Sequence, residues 1–271
     1  MKKFDLNDGN KIPALGFGTW QLQGDICTKS VLTALEVGYR HIDTAERYEN
    51  HEEVAAAIAQ SGIAREEIFI TSKVWWTELT RVKIVAECKK SLQQLKTDYL
   101  DLFLVHWPNT NISVKDSVEG MRHLKDLGLI RSFGVSNFTK HHLQDWIDQG
   151  MTPSVNQVEI HPTMGQFDMQ LFCQSHNIVL TAYSPLGQGR ELQLPVLAEI
   201  ALKHNKTVAQ VILNWLVGRG IVVIPKSTNP ERIKQNFDSF DFELTKEDIS
   251  LINGENTDNR LLTTSWADWD Y

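Results

Sequence analysis

Asp43, Tyr48, Lys73 and His106 are residue types that can combine into a tunable proton donor. An unperturbed tyrosine has a pKa of about 10, too high for efficient proton donation at neutral pH. A neighbouring ammonium favours the phenolate and lowers that value. Tyr48 beside Lys73 would then be the acid, with Asp43 keeping the lysine charged and oriented and His106 hydrogen-bonding a substrate carbonyl oxygen. Such a set suits protonation of an alkoxide as hydride arrives from a nicotinamide. Taken singly, each residue also has a structural role open to it. Asp43 can cap a turn, Tyr48 can be a half-buried aromatic, Lys73 a solvated cation and His106 a satisfied core imidazole.

Placement along the chain favours the chemical role. Short apolar or β-branched runs alternate with helical periods. The runs Ala14–Gly18, His41–Asp43, Ile68–Lys73, Leu100–His106, Ser132–Ser136, Val155–Glu159, Val179–Tyr183 and Ile221–Ile224 read as strands. Helical stretches follow at Thr28–Val37, Asn50–Gln60, Val82–Leu95, Val118–Leu127, Lys140–Asp148, Met169–His176, Val208–Val217 and Pro230–Asn236. Asn50-x-x-Glu53 and Thr207-x-x-Gln210 have the spacing of capping boxes, and Gly38 and Gly128 sit where left-handed helix ends belong. Eight such units predict either a closed (β/α)₈ barrel or an open doubly wound sheet. The open sheet needs Gly-x-Gly-x-x-Gly, and Gly16-Phe17-Gly18-Thr19-Trp20-Gln21 lacks the third glycine. The expectation is one α/β barrel domain over residues 1–271. A hairpin over Met1–Pro13, turning at Asp8-Gly9 or Gly9-Asn10, precedes it, and a short polar and then aromatic tail lies across the active-site face.

In such a barrel, chemistry gathers where strands run into their helix-bound loops. Asp43, Lys73, His106, Ser136-Asn137, Gln157, Tyr183-Ser184 and Lys226-Ser227 all fall there, and Tyr48 follows closely, so they should share one bowl. Composition limits the alternatives. The net charge is -7 and no basic run is visible, which argues against nucleic acid. No apolar run approaches a bilayer span of about 20 residues, and the opening residues have no signal-peptide core. Three cysteines without CxxC spacing read as buried thiols in a reducing cytoplasm. No Gly-x-Ser-x-Gly elbow is present, and His51-Glu52-Glu53-Val54-Ala55 lacks the second histidine of a zinc helix, so no metal is expected.

The runs Gly16-Phe17-Gly18-Thr19-Trp20, Gly38-Tyr39-Arg40-His41-Ile42-Asp43-Thr44-Ala45, Thr71-Ser72-Lys73-Val74-Trp75, His106-Trp107-Pro108, Gly134-Val135-Ser136-Asn137-Phe138, Tyr183-Ser184-Pro185-Leu186-Gly187 and Ile224-Pro225-Lys226-Ser227 occur in order along the chain. Together with Tyr48 and Asn156-Gln157 they resemble the aldo-keto reductase superfamily. The short final segment, with Asp258-Asn259-Arg260, is similar to the bacterial 2,5-diketo-D-gluconate reductase type.

The resemblance implies NADPH-dependent reduction of small aldehydes, ketones or dicarbonyls by a monomer, with Asp43, Tyr48, Lys73 and His106 as catalytic tetrad. It assigns Ser136, Asn137 and Gln157 to the nicotinamide carboxamide and Tyr183 to the ring. Ser184, Leu186 and Gly187 would follow the pyrophosphate. Lys226, Ser227, Thr228 and Arg232 would meet the adenosine 2′-phosphate, with Asn236 near adenine. Thr19 and Trp20 join the cofactor set, and Trp20, Trp75 and Trp107 wall the substrate pocket. Gln235 stands where many relatives carry an acid, and the short loop Asn109–Val114 predicts an open pocket. The alternative is an NADPH-binding regulatory module of the same fold, which would be expected to carry long inserts or assembly surfaces; this compact chain shows neither.

Overall fold

The computed structural model describes every residue except Met1, Ser265, Asp268 and Asp270. An antiparallel hairpin opens the chain, with β1 (Lys3–Asp5) paired to β2 (Lys11–Pro13). Its turn carries Gly9 at φ 88°, a conformation open to glycine. Eight parallel strands follow among the described residues: β3 (Phe17–Gly18), β4 (His41–Asp43), β5 (Phe69–Val74) and β6 (Leu100–Val105). The second half of the sheet is β7 (Ile130–Ser136), β8 (Val155–Glu159), β9 (Val179–Tyr183) and β10 (Val222–Val223).

Each strand pairs with the next, and the two ends of the sheet meet. The Gly16 amide donates to the Val223 carbonyl at 2.8 Å, and the Val223 amide donates to Ala14 at 2.9 Å. This closes a barrel. The closure is tight: a Cβ on Gly18 would stand 2.7 Å from the Ile224 carbonyl oxygen, so only glycine fits there.

The helices ring the strands. The first four are α1 (Gly24–Val37), α2 (His51–Ser61), α3 (Arg81–Leu95) and α4 (Val114–Asp126). They continue as α5 (Lys140–Asp148), α6 (Phe167–Ser175), α7 (Pro195–His204), α8 (Val208–Gly218), α9 (Pro230–Phe237) and α10 (Lys246–Gly254). Two of them, α7 and α10, were not expected. The first opens on Pro195 at its first turn, where a missing N–H costs nothing, and buries Leu197, Ile200 and Ala201 at helical spacing. The second is started by a capping box between Thr245 and Asp248.

Thr207 and Gln210 form their box as the spacing predicts. Asn50 does not cap α2. Its side chain donates to the Thr19 and Leu22 carbonyls at 2.9 Å and accepts from the Thr44 hydroxyl at 2.6 Å. Tertiary partners outcompeted the local one, and the residue now ties β3 and β4 loops together.

The core has two layers. The larger lies between the outer strand faces and the helices; the smaller fills the barrel floor with Phe69, Leu102, Leu104, Val155 and Val222, plugged by Leu6 and Ile12 of the hairpin. Alternation along each strand then decides what points into the barrel. On β5, Phe69 belongs to this inner layer and Lys73 is four residues on, so it shares that inward face at the opposite end.

Candidate active site

Polar side chains replace apolar ones at the C-terminal ends of the strands. Lys73 is fully buried, and its ammonium donates to the Asp43 carboxylate at 2.5 Å, to the Thr44 carbonyl at 2.8 Å and to the Tyr48 hydroxyl at 3.4 Å. The 3₁₀ turn Glu46–Tyr48, directly after β4, brings Tyr48 back over β5. The other Asp43 oxygen accepts from the Gln157 amide at 2.7 Å, so β4, β5 and β8 are joined through one carboxylate. The Ser136 hydroxyl donates to the Gln157 carbonyl at 2.7 Å, and Tyr183 donates its hydroxyl proton to Asn137 at 2.7 Å. Asn137 in turn donates to the carbonyl of His106 at 3.0 Å. Asn137 and Ser184 both hold positive φ, at 62° and 45°, which for the serine is a strained backbone at a strand end.

His106 packs edge-on against Tyr48, with ring centres 5.6 Å apart, and against Trp75 at 5.2 Å. Burial holds its imidazole well below the ordinary histidine pKa, and the Lys73 ammonium pushes the same way. The ring is therefore neutral at neutral pH. Its Nδ1 is buried without a hydrogen-bond partner among the described residues.

Tyr48 departs from expectation. Burial pushes its phenol well above the ordinary value and the Asp43 carboxylate adds to the rise, so the net shift runs opposite to the one expected. Burial is the leading cause. Lys73 lies closer to Asp43 than to Tyr48, so the two charges act on the phenol as a compensated pair. Burial lowers the lysine itself, opposed by Asp43.

These groups stand in one wall of a cleft of about 870 Å³ that runs to the start of α9. Thr19, Trp20, Asp43, Tyr48, Trp75, His106, Trp107, Ser136, Asn137, Gln157, Tyr183, Ser184, Leu186, Lys226, Ser227, Arg232 and Asn236 line it as the sequence predicts. Lys73 lies behind Tyr48 with no surface of its own. Gly187 and Thr228 are not in the wall. Gly187 is buried at φ 54° against Glu191, and Thr228 is exposed beside the cleft. Arg47, Gln188, Leu192, Val208, Leu262 and Trp266 line it unpredicted. Only Trp266 carried a sequence signal, in the aromatic tail.

That tail crosses the mouth of the cleft. Trp266 stacks parallel on Trp76 at 6.3 Å and meets Trp75 and Trp107 edge-on. Its root is fixed by Glu159 at the end of β8, whose carboxylate accepts the amides of Leu261 at 2.6 Å and Leu262 at 2.9 Å. Glu159 also faces His161 at 3.0 Å, and His161 faces Glu191 at 3.0 Å. Ser265, Asp268 and Asp270 of the tail lie outside the described residues.

A sequence model of the Aldo/keto reductase family matches residues 14–256. The chain belongs to the aldo/keto reductase family. An aldo-keto reductase of Mycolicibacterium smegmatis is 46% identical over 261 residues, 96% of this chain and 95% of that one. A glyoxal reductase of Bacillus subtilis is 46% identical over 258 residues, 94% of this chain and 93% of that one. Among solved structures, an aldo-keto reductase of Bombyx mori in complex with NADP superposes with a TM-score of 0.93 at 36% identity, covering 99% of this chain and 98% of the other. As a family member this chain is an NADP-dependent oxidoreductase acting on carbonyl groups.

The cleft suits that cofactor on its own chemistry. One end offers amides and a flat phenol (Asn137, Gln157, Tyr183) beside Tyr48 and His106. The other offers Lys226 and Arg232, neither with an ion-pair partner among the described residues, where a phosphate would supply one. Asn229 caps α9 at the same end, its side chain accepting the Arg232 amide at 3.2 Å.

Proposed function

We propose that this reductase converts small aldehydes, ketones and dicarbonyls to alcohols with Tyr48 as general acid. The observation that carries the reading is the Asp43–Lys73–Tyr48–His106 cluster in a cleft whose far end carries cations without ion-pair partners among the described residues. The B. subtilis relative's name, glyoxal reductase, supports dicarbonyls among the substrates.

Bound NADPH supplies the hydride. The residues of the chain manage the oxygen. With Nδ1 buried and unpaired, the His106 proton belongs on Nε2, since a buried N–H without an acceptor is the costlier state. His106 then donates to the carbonyl oxygen and orients it. Tyr48 gives its proton to that oxygen as negative charge develops there, and the C=O bond becomes C–OH. The raised phenol pKa reduces the driving force for transfer, yet an alkoxide is a far stronger base than a phenolate, so the transfer stays downhill. The raised value keeps the proton in place until the alkoxide forms. Lys73, held by Asp43 and the Thr44 carbonyl, stabilises the phenolate left behind. Tryptophans 20, 75, 107 and 266 exclude water from the exchange.

We further read residues 1–271 as one domain acting as a cytoplasmic monomer. The cleft is complete within one chain, and all three cysteines are buried free thiols, which suits a reducing compartment. The test is absorbance loss at 340 nm with methylglyoxal or benzaldehyde, alongside quantified alcohol. One alcohol per NADPH consumed is expected. NADPH binding without turnover on any reactive aldehyde would overturn the reading.

A further inference from the structure

Arg47 occupies the 3₁₀ turn directly before Tyr48 and stands exposed at the rim of the cleft. Its guanidinium carbon lies 5.6 Å from the centre of the Trp75 ring. Trp75 packs on His106, and His106 on Tyr48, so a continuous row of rings leads from the proton donor to a cation.

The charge inventory of the cleft wall makes this cation distinctive. Its charged members are Asp43, Arg47, Lys226 and Arg232. Asp43 is compensated by Lys73, and the last two belong to the far end. Arg47 has no carboxylate partner among the described residues, because the adjacent Glu46 faces Lys90 at 3.4 Å. A guanidinium held over an indole by its positive charge keeps N–H donors available, in a planar fork that matches a carboxylate bidentately. In a protein of net charge -7, an anionic ligand needs such a local attractor.

We propose that Arg47 is a specificity-determining residue that favours carbonyl substrates bearing a carboxylate remote from the reacting carbonyl. The flat apolar body of such a molecule lies along Trp75 and Trp107 while its charged end reaches the rim. The inference rests on the reductase reading above and adds the substrate class.

The experiment compares kcat/KM for 4-carboxybenzaldehyde and benzaldehyde in the wild type, Arg47→Ala, Arg47→Lys and Arg47→Glu. Arg47→Ala should lower the ratio of the two about fivefold, the upper size of an exposed ion pair. The loss should fall on KM of the carboxylated aldehyde and shrink as salt rises. Charge reversal should lower the ratio further, and lysine should restore part of it. A ratio constant within about twofold across the four proteins, below what one exposed pair gives, overturns the inference and leaves the reductase reading standing. A parallel titration of benzoate and benzamide, followed by tryptophan fluorescence, needs no turnover. Arg47-dependent preference for benzoate supports the inference even if both aldehydes fail as substrates, a result that would sink the reductase reading instead. Equal binding of the two by wild type and Arg47→Ala overturns it.

Discussion

Two buried charge clusters lie at the same end of this barrel and do different work. At the end of β8, Glu159, His161 and Glu191 form a closed set: one imidazole between two carboxylates, with the remaining oxygen positions taken by the amides of Leu261 and Leu262 and by Thr163. Its charges pair with each other, and its other ligands are backbone amides and the Thr163 hydroxyl. At the ends of β4 and β5, Asp43 and Lys73 are equally buried, but their third neighbour is a phenol facing a cleft. Each cluster carries the desolvation cost of buried ions. One spends its hydrogen bonds on the tail and its neighbouring loop; the other leaves a proton where a substrate can take it.

Removing that proton should give the largest effect. Tyr48→Phe keeps the ring and its packing on His106 but deletes the acid. General acid catalysis contributes roughly 10²- to 10⁴-fold, so kcat should fall at least that far with NADPH still bound. Stopped-flow turnover and fluorescence titration together check it. More than about a tenth of wild-type kcat in a folded variant excludes Tyr48, being outside that range.

Lys73→Met comes next and should cost stability as well as rate. It strands the Asp43 carboxylate without its ammonium, and breaking a buried pair costs about 3–5 kcal/mol. Chemical denaturation should show that loss, and kcat should drop more than cofactor affinity does. The wild-type pH profile bears on the same residue. A raised Tyr48 pKa places any alkaline loss of the acid above about 10, where an unperturbed phenol titrates. A loss set in near neutrality by Tyr48 would mean that Lys73 dominates the phenol after all.

The closed cluster predicts a smaller and purely structural response. Burial opposes the charge on His161, but hydrogen bonds and charges from Glu159 and Glu191 outweigh it and raise its pKa above the ordinary 6.5. The same contacts lower both glutamates below their ordinary 4.5. A raised histidine stabilises the fold fully below 6.5 and loses that contribution as pH climbs through its raised value. The depressed glutamates contribute above 4.5 and lose it as pH falls through their lowered values. Stability from this cluster should therefore peak between the two ordinary values. His161→Gln should cost about 1.5–3 kcal/mol, the range for hydrogen bonds to charged groups, and should flatten the alkaline limb. Urea denaturation from pH 5 to 9 reads both; an unchanged alkaline limb would mean that His161 is neutral.

The contrast also sorts what the sequence makes legible. Asp43, Lys73 and Gln157 lie on strands of a repeating unit and His106 directly follows one, so their convergence follows from topology and alternation. The hairpin, the Thr207 box and the barrel follow from local pattern as well. The sign of the Tyr48 shift does not, because it depends on how near Asp43 comes to Lys73 and on how much of the phenol is buried. Asn50 has the spacing of a cap, yet its partners are carbonyls more than twenty residues away. Glu159, His161 and Glu191 left no trace as a set, since two adjoin one strand and the third comes from the loop after the next.

The smallest expected effect tests whether the far end of the cleft belongs with the working cluster. Lys226 and Arg232 are exposed cations lacking ion-pair partners among the described residues, and Asn229 caps the helix between them. A 2′-phosphate at this end would gain both charges and the positive end of the α9 dipole. Because Arg232 is exposed, its contribution belongs at the low end for a charged hydrogen bond, about tenfold in affinity. Arg232→Ala should weaken NADPH by that factor, leave NADH nearly unaltered, and change kcat little once the cofactor is saturating. Raising salt should narrow the wild-type preference in the same direction. Titrating both cofactors by tryptophan quenching, in wild type and variant, separates a phosphate contact from a bystander. Equal losses for NADPH and NADH would mean that Arg232 shapes the cleft generally, and no loss for either would leave the phosphate to Lys226 and the helix dipole.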